Sequence, residues 1–243
     1  MNELIHTVET QIVKGIEETH GIDLFDETHK RDECPICFEK LPIESSGHIF
    51  MSCCGHIICQ GCDLTMQDTE NGQGCPFCRN KPPVGNTEYL AAIKSLAKRG
   101  CAEAALALSD AYRVGGNGVE MNNYKSLSWL VKAASLGSAA GYGQLSQAYS
   151  NGVIVKRCPV RRRQCLEISA KMGSIRARCT LMIICNNEGD FLSEKQHREI
   201  AASAGCEVSM KNLFQEYRQG GIAKKRLDEI LKHYQENMKL FSL

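Results

Sequence analysis

The sequence predicts two structural units, a small α+β module held together by bound metal and an all-α solenoid of paired helices. Most of the 14 cysteines lie between residues 34 and 78, and the others are scattered singly. From residue 87 onward, a helical pattern repeats with a period in the mid-thirties. A length of 243 residues allows one or two domains, so one chain can hold both units.

The first predicted element is an amphipathic helix within residues 1–33. Apolar residues recur at helical spacing from Leu4 to Ile16, and Gly21 is a plausible end for the helix. Because only one apolar stripe is present, it can either pack on the rest of this protein or mediate self-association or partner binding. The mixed charges of residues 23–33 indicate a linker.

Residues 34–79 carry a pattern of metal ligands. Cys-x-x-Cys turns stand at both ends of this segment, and Cys-Gly-His-x-x-Cys-x-x-Cys lies between them. Zn²⁺ prefers four thiolate or imidazole ligands in a tetrahedron, so eight such ligands predict two ions. The candidate ligands are Cys34, Cys37, Cys54, His56, Cys59, Cys62, Cys75 and Cys78.

The two zinc ions are predicted to be structural. A segment of about 45 residues cannot build a large apolar core, so bound metal would supply folding free energy on the order of 10 kcal/mol per site. A site closed by four protein ligands has no open coordination position, which argues against a catalytic zinc hydrolase.

Residues 80–86 are predicted to be a linker, because two prolines disfavour a helix while Gly and Asn favour turns. Thr87 then predicts the N-cap of a helix that runs to about Arg99. This helix opens the predicted solenoid, which occupies residues 87–243.

The solenoid prediction depends on repeated small residues and glycines. Four segments share the form Ala-x-x-Gly, and the motif Leu-Ser-x-Ala-Tyr occurs twice between them. Small side chains let paired helices approach closely, and a glycine ends each second helix. A helix pair cannot bury its apolar face alone, so at least three pairs should stack. The repeated glycines, spaced by 37, 36 and 32 residues, are Gly100, Gly137, Gly173 and Gly205.

Charge and composition limit the partners. A net charge of +1 provides no field that would draw the chain to nucleic acid or membrane. The basic run from Lys156 to Arg163 lacks interleaved aromatic residues, so we expect a solvated loop and helix start there and no nucleic-acid partner. No apolar stretch reaches membrane-spanning length, and no signal-peptide pattern is present. We expect a protein of a reducing intracellular compartment, cytoplasm or nucleus.

The ligand order of residues 34–79 resembles the RING finger of the C3HC4 kind. Some RING fingers use a cysteine pair at the third and fourth positions, which would put Cys53 in place of His56, but the commoner Cys-Gly-His-x-x-Cys spacing favours His56. The resemblance implies a cross-brace with one zinc on Cys34, Cys37, Cys59 and Cys62 and the other on Cys54, His56, Cys75 and Cys78.

RING fingers act mostly as ubiquitin-protein ligases, which position a ubiquitin-charged conjugating enzyme without forming a covalent intermediate. The resemblance implies that Ile36 and Pro76 are apolar contacts to that enzyme. It also implies that Arg79 bridges the enzyme and ubiquitin through its guanidinium fork. Met66 stands where Cbl-type RING fingers have a docking tryptophan. The alternative function is a zinc-braced interaction scaffold without ligase activity.

Residues 87–240 resemble Sel1-like repeats, which are related to the tetratricopeptide repeat. The similarity is best between Ala104 and Gly137, where Tyr112 and Trp129 occupy the family's positions. Ser109 stands where the family usually has glycine. The resemblance implies a concave groove for a protein partner, such as the substrate that the RING finger would modify.

Overall fold

The computed structural model describes residues 2–25, 32–39, 41, 47–67, 74–116 and 118–238. In this part of the chain, no helix is both long enough and apolar enough to cross a membrane. The elements are α1 Asn2–Glu18, β1 His48–Phe50, β2 Ile57–Cys59, α2 Gln60–Gln67, α3 Gly85–Lys98, α4 Ala102–Val114, α5 Asn123–Ser135, α6 Ala139–Asn151, α7 Pro159–Lys171, α8 Ile175–Glu188, α9 Phe191–Ser203, α10 Glu207–Arg218 and α11 Lys224–Met238.

The strands and α2 form the small α+β module that the cysteine pattern predicts. β1 and β2 are antiparallel, with His48 opposite Cys59. The buried apolar core of the module consists of Cys34, Leu41 and Ile58. A core this small cannot stabilise a fold by apolar burial alone, so the fold depends on bound metal.

Helices α3 to α11 form the predicted solenoid. Each helix packs against the next one along the chain, and the most extensive contacts join α4 with α5, α6 with α7, and α8 with α9. The repeated glycines follow α3, α5, α7 and α9, and their φ angles lie between 86° and 108°. Glycine adopts this left-handed conformation readily, which confirms that the Ala-x-x-Gly segments end every second helix.

Small residues bring the paired helices close together, as the sequence predicts. A Cβ atom added at Gly141 in α6 would lie 2.9 Å from the backbone nitrogen of Ala134 in α5. The buried Ser109 hydroxyl donates a hydrogen bond to the Ser126 carbonyl oxygen at 2.9 Å. Ser109, which stands where Sel1-like repeats usually have glycine, therefore joins α4 to α5 through a hydrogen bond.

The prediction of Thr87 as an N-cap is wrong. Helix α3 begins at Gly85, and Val84 is its N-cap residue. The Val84 N–H donates to the Glu88 carboxylate at 2.9 Å. A carboxylate can satisfy a free N–H at a helix start and also interacts favourably with the helix dipole, so Glu88 supplies the cap.

Helix α1 packs on its own protein, which decides between the two possibilities left open by its sequence. Val8 and Ile12 are completely buried in a cluster with residues of α5, α6 and α7. The Gln11 amide donates to the Tyr142 hydroxyl at 2.8 Å. The apolar stripe of α1 is therefore part of the solenoid core.

The chain after α1 continues along the solenoid. The Thr19 carbonyl accepts a hydrogen bond from the Lys171 ammonium at 3.2 Å. Further on, the buried Arg178 guanidinium in α8 donates to the Leu24 carbonyl at 2.6 Å. The ring of Phe25 lies 5.0 Å from that of His197 in α9. Residues 2–25 thus follow the solenoid from α5 to α9.

The metal module contacts the first helices of the solenoid. Phe50 in β1 packs against the apolar cluster of α3 and α4. A Cβ atom added at Gly55 would lie 3.4 Å from the Cys101 sulfur and 3.4 Å from a Leu96 methyl group. The module therefore packs against α3 and α4 of the solenoid. Residues 2–25, which precede the module in the chain, also pack on the solenoid.

Candidate metal centre

The two Cys-x-x-Cys turns have the same backbone geometry. In each turn, the residue after the second cysteine donates its N–H to the first cysteine's carbonyl, at 2.8 Å for Phe38 to Cys34 and 2.8 Å for Arg79 to Cys75. The same residue has a left-handed conformation, with φ of 62° at Phe38 and 59° at Arg79. Two equivalent turns at the two ends of the module thus each present a pair of thiols.

The first group of thiols fits a tetrahedral zinc site. Zn–S bonds of about 2.3 Å place the sulfur atoms of a tetrahedron about 3.8 Å apart. The Cys34 and Cys62 sulfurs are 3.8 Å apart, and so are those of Cys37 and Cys59. All four sulfur atoms lie within 4.8 Å of one another, as the predicted first site requires.

The second group contains Cys53 and does not contain His56. The sulfur atoms of Cys53, Cys54, Cys75 and Cys78 lie within 4.8 Å of one another, and those of Cys54 and Cys75 are 3.5 Å apart. The structure therefore corrects the fourth ligand from His56 to Cys53, the alternative that the sequence had left open.

A tight turn explains this correction. The N–H groups of Cys54 and Gly55 both donate to the Met51 carbonyl, and this turn presents two adjacent cysteines to one site. His56 lies after Gly55 and directly before β2, and its ring stacks on Phe77 at a centroid distance of 4.1 Å. The imidazole therefore covers the second Cys-x-x-Cys turn, although its Nδ1 lies 3.3 Å from the Cys54 sulfur.

Backbone N–H groups favour the thiolate at the first cysteine of each turn. Burial raises the pKa of the Cys34 thiol, but backbone N–H groups, chiefly that of Cys37, outweigh burial and lower this pKa to about 6. At Cys75 the backbone N–H groups of Cys78 and Phe77 outweigh burial and lower the pKa to about 7. Thiolates are the form of cysteine that binds zinc, so the backbone of each turn favours the metal-binding form of its first cysteine.

The two sites interleave along the chain. The first site takes the first and third ligand pairs, and the second site takes the second and fourth pairs. Each ion therefore closes a loop that contains ligands of the other ion. Both sites are complete with four protein thiolates, so the two zinc ions are structural.

The four expected contacts to a conjugating enzyme differ in exposure. Ile36 and Met66 are half-buried and pack against the small core of the module. Pro76 and Arg79 are exposed on the second Cys-x-x-Cys turn. The structure thus shows where these four residues lie, while their contact with a conjugating enzyme stays a prediction.

A groove on the solenoid is lined mainly by residues of α4, α6 and α8 and of the turns before α6 and α8, with Arg162 and Leu166 of α7, and His48 in β1 also lines it. We refer to this feature as the α4–α6–α8 groove, and its volume is about 730 Å³. The sequence predicts a concave groove in the repeats but does not indicate that the metal module contributes to its wall. Only the fold brings His48 to this place.

Comparisons with known proteins agree with both units. Residues 33–80 match the family described as zinc-RING finger domain. A structure of a Sel1 repeat protein from Oxalobacter formigenes is 28% identical, with a TM-score of 0.47, over 52% of this chain and 97% of that one. A protective antigen of uropathogenic Escherichia coli strains that displays an SLR fold is 22% identical, with a TM-score of 0.52, over 63% of this chain and 34% of that one.

A comparison with curated protein sequences found no match. The matched family and the matched fold nevertheless cover both predicted units. The chain contains a RING-type zinc finger with two four-cysteine zinc sites, followed by Sel1-like helical repeats.

Proposed function

We propose that this protein is a RING-type ubiquitin-protein ligase whose helical repeats hold a protein substrate. The observation that carries the proposal is the cross-braced pair of zinc sites within a segment that matches the RING finger family. Because structural zinc supplies no reactive group, the activity must come from positioning. The module would hold a ubiquitin-charged conjugating enzyme so that a substrate lysine attacks the thioester.

The exposed surface of the module supports this role. Ile36 and Met66 would supply an apolar contact, and the exposed Pro76 would extend it. Arg79 is exposed and forms no ion pair with any residue in the described part of the chain. Its guanidinium is therefore available to donate hydrogen bonds to two carbonyl oxygens at once, one on the conjugating enzyme and one on ubiquitin.

The packing of the module against the solenoid supports a ligase in which a substrate bound to the repeats lies close to the module. Phe50 and Gly55 contact α3 and α4, and His48 lines the α4–α6–α8 groove. A protein segment bound in this groove would lie beside the module. The repeats would thus raise the effective concentration of substrate lysines near the thioester.

The expected compartment is reducing. All 14 cysteines lie in the described part of the chain, and none of them forms a disulfide. Zinc-binding thiols and half-buried free cysteines persist where glutathione and thioredoxin keep thiols reduced. Cytoplasm or nucleus would provide this environment.

An autoubiquitination assay with a broad panel of purified conjugating enzymes tests the proposal. Wild-type protein should form ubiquitin chains with at least one enzyme, and Ile36→Ala and Arg79→Ala should each lose most of the rate. Matched controls are Ile183→Ala and Arg218→Ala, because both residues are exposed on the solenoid. Activity that both contact variants retain would refute the contact assignment.

The second candidate function is an interaction scaffold in which both units bind proteins. The observation that favours it is Met66, which is smaller and less rigid than the docking tryptophan of Cbl-type RING fingers. A zinc-loaded wild-type protein that is inactive with every enzyme of the panel would refute the ligase and leave the scaffold as the function that the fold supports.

A further inference from the structure

Three consecutive arginines at the start of α7 have different environments. Arg161 forms an ion pair with Glu9 of α1 at 2.5 Å. Arg163 pairs with Glu167 at 3.0 Å and also with Glu188. Arg162, between them, lines the α4–α6–α8 groove and forms no ion pair with any residue that the structure describes.

A second arginine lies on the same side of the groove as Arg162. Arg176, at the start of α8, is exposed, lines the groove and has no ionic partner within the described ranges. Two acidic residues, Glu103 and Asp110, line the groove from α4. Asp110 already accepts a hydrogen bond from Arg113 at 2.9 Å, so one of these two carboxylates has a cationic partner in this protein. The α7–α8 side of the groove therefore offers two guanidinium groups without a counter-ion.

Part of the groove lining suits an extended chain. Gly137, Ala139, Ala140 and Gly143 are among the lining residues, so side chains fill little of the groove at these positions. Exposed amide side chains stand nearby and can hydrogen-bond to peptide groups of a ligand. These amides belong to Gln147 and Asn151.

We infer that the α4–α6–α8 groove binds an extended acidic segment of a protein partner, with the partner's carboxylates at Arg162 and Arg176. Guanidinium–carboxylate hydrogen bonds are charge-assisted and are bidentate when the geometry allows, which gives both affinity and direction. This inference rests on the proposed function, since the segment would belong to the substrate that the RING finger modifies.

A single-stranded nucleic acid is the less suitable anion. The groove-lining residues in the described part of the chain include no Phe, Tyr or Trp on which bases could stack. The neighbouring Arg161 and Arg163 are engaged with carboxylates of this protein, so they do not extend the positive surface.

The test is selection of binding peptides from a randomised 12-residue peptide display library on the full-length, zinc-loaded protein. Enriched peptides should carry Glu or Asp, and synthetic versions should bind with an affinity that decreases about tenfold or more in Arg162→Gln and in Arg176→Gln. Arg157→Gln is the matched control, because Arg157 belongs to the same basic run but does not line the groove.

Several outcomes would overturn the inference. They are enrichment of peptides without acidic residues, equal binding by the arginine variants, displacement of the bound peptide by a single-stranded oligonucleotide, or no enrichment above a streptavidin control. All variants should keep the wild-type circular dichroism spectrum, because both arginines lie at the protein surface. The assay contains no ubiquitin, so its failure is distinguishable from failure of ligase activity.

Discussion

Replacement of Ile12 by alanine tests whether α1 is part of the solenoid core. The Ile12 side chain is fully buried, whereas that of its neighbour Val13 is 46% exposed. Truncation of a buried isoleucine to alanine costs about 2–5 kcal/mol of unfolding free energy, because apolar contacts are lost and a cavity remains. For a chain of this size, each kcal/mol lowers the melting temperature by about 2–4 °C, so Ile12→Ala should lower it by roughly 4–20 °C.

Thermal unfolding followed by far-UV circular dichroism measures this effect. Val13→Ala is the matched control, since an exposed substitution changes the unfolding free energy by about 0.5 kcal/mol or less. If Ile12→Ala and Val13→Ala melt at the same temperature, α1 is not packed in the solenoid and the reasoning is refuted.

Three further predictions concern helix packing, thiol chemistry and metal. Gly141→Ala should destabilise the protein by about 1–3 kcal/mol in chemical denaturation, because the new Cβ would lie 2.9 Å from the Ala134 nitrogen. Gly143→Ala, whose Cβ has room, should not. A hydrogen bond from the Cys179 thiol, assisted by backbone N–H groups, lowers the pKa of Cys206 to about 5. The thiolate therefore exists above about pH 5, and iodoacetamide should alkylate Cys206 at about pH 6, more slowly in Cys179→Ala, as mass spectrometry can measure. A zinc chelator should expose residues 34–79 to protease while the circular dichroism of the helical repeats persists.

The parts of the fold that sequence predicts are those fixed by local chemistry. Zinc requires four soft ligands at close range, so the Cys-x-x-Cys turns must appear as spaced pairs. A helix that ends in a left-handed residue favours glycine there, so Gly100 and Gly137 mark repeat boundaries in the sequence. These constraints act within a few residues and leave a readable pattern.

The remaining features depend on geometry that spacing does not encode. Cys53 and His56 are both near enough in sequence to complete the second zinc site, and only the turn at Met51 and the stacking of His56 on Phe77 exclude the histidine. The contact between Gln11 and Tyr142 joins residues 131 positions apart. Nothing local in the sequence of α1 identifies the helices that it contacts.

The most direct test of the central claim is the metal content of the purified protein combined with zinc X-ray absorption spectroscopy. We predict two zinc ions per chain, each surrounded by four sulfur atoms at about 2.3 Å, with no imidazole in the coordination sphere. His56→Ala should retain both ions, and Cys53→Ser should not. An imidazole ligand on one of the two ions, with both ions retained by Cys53→Ser, would contradict the account.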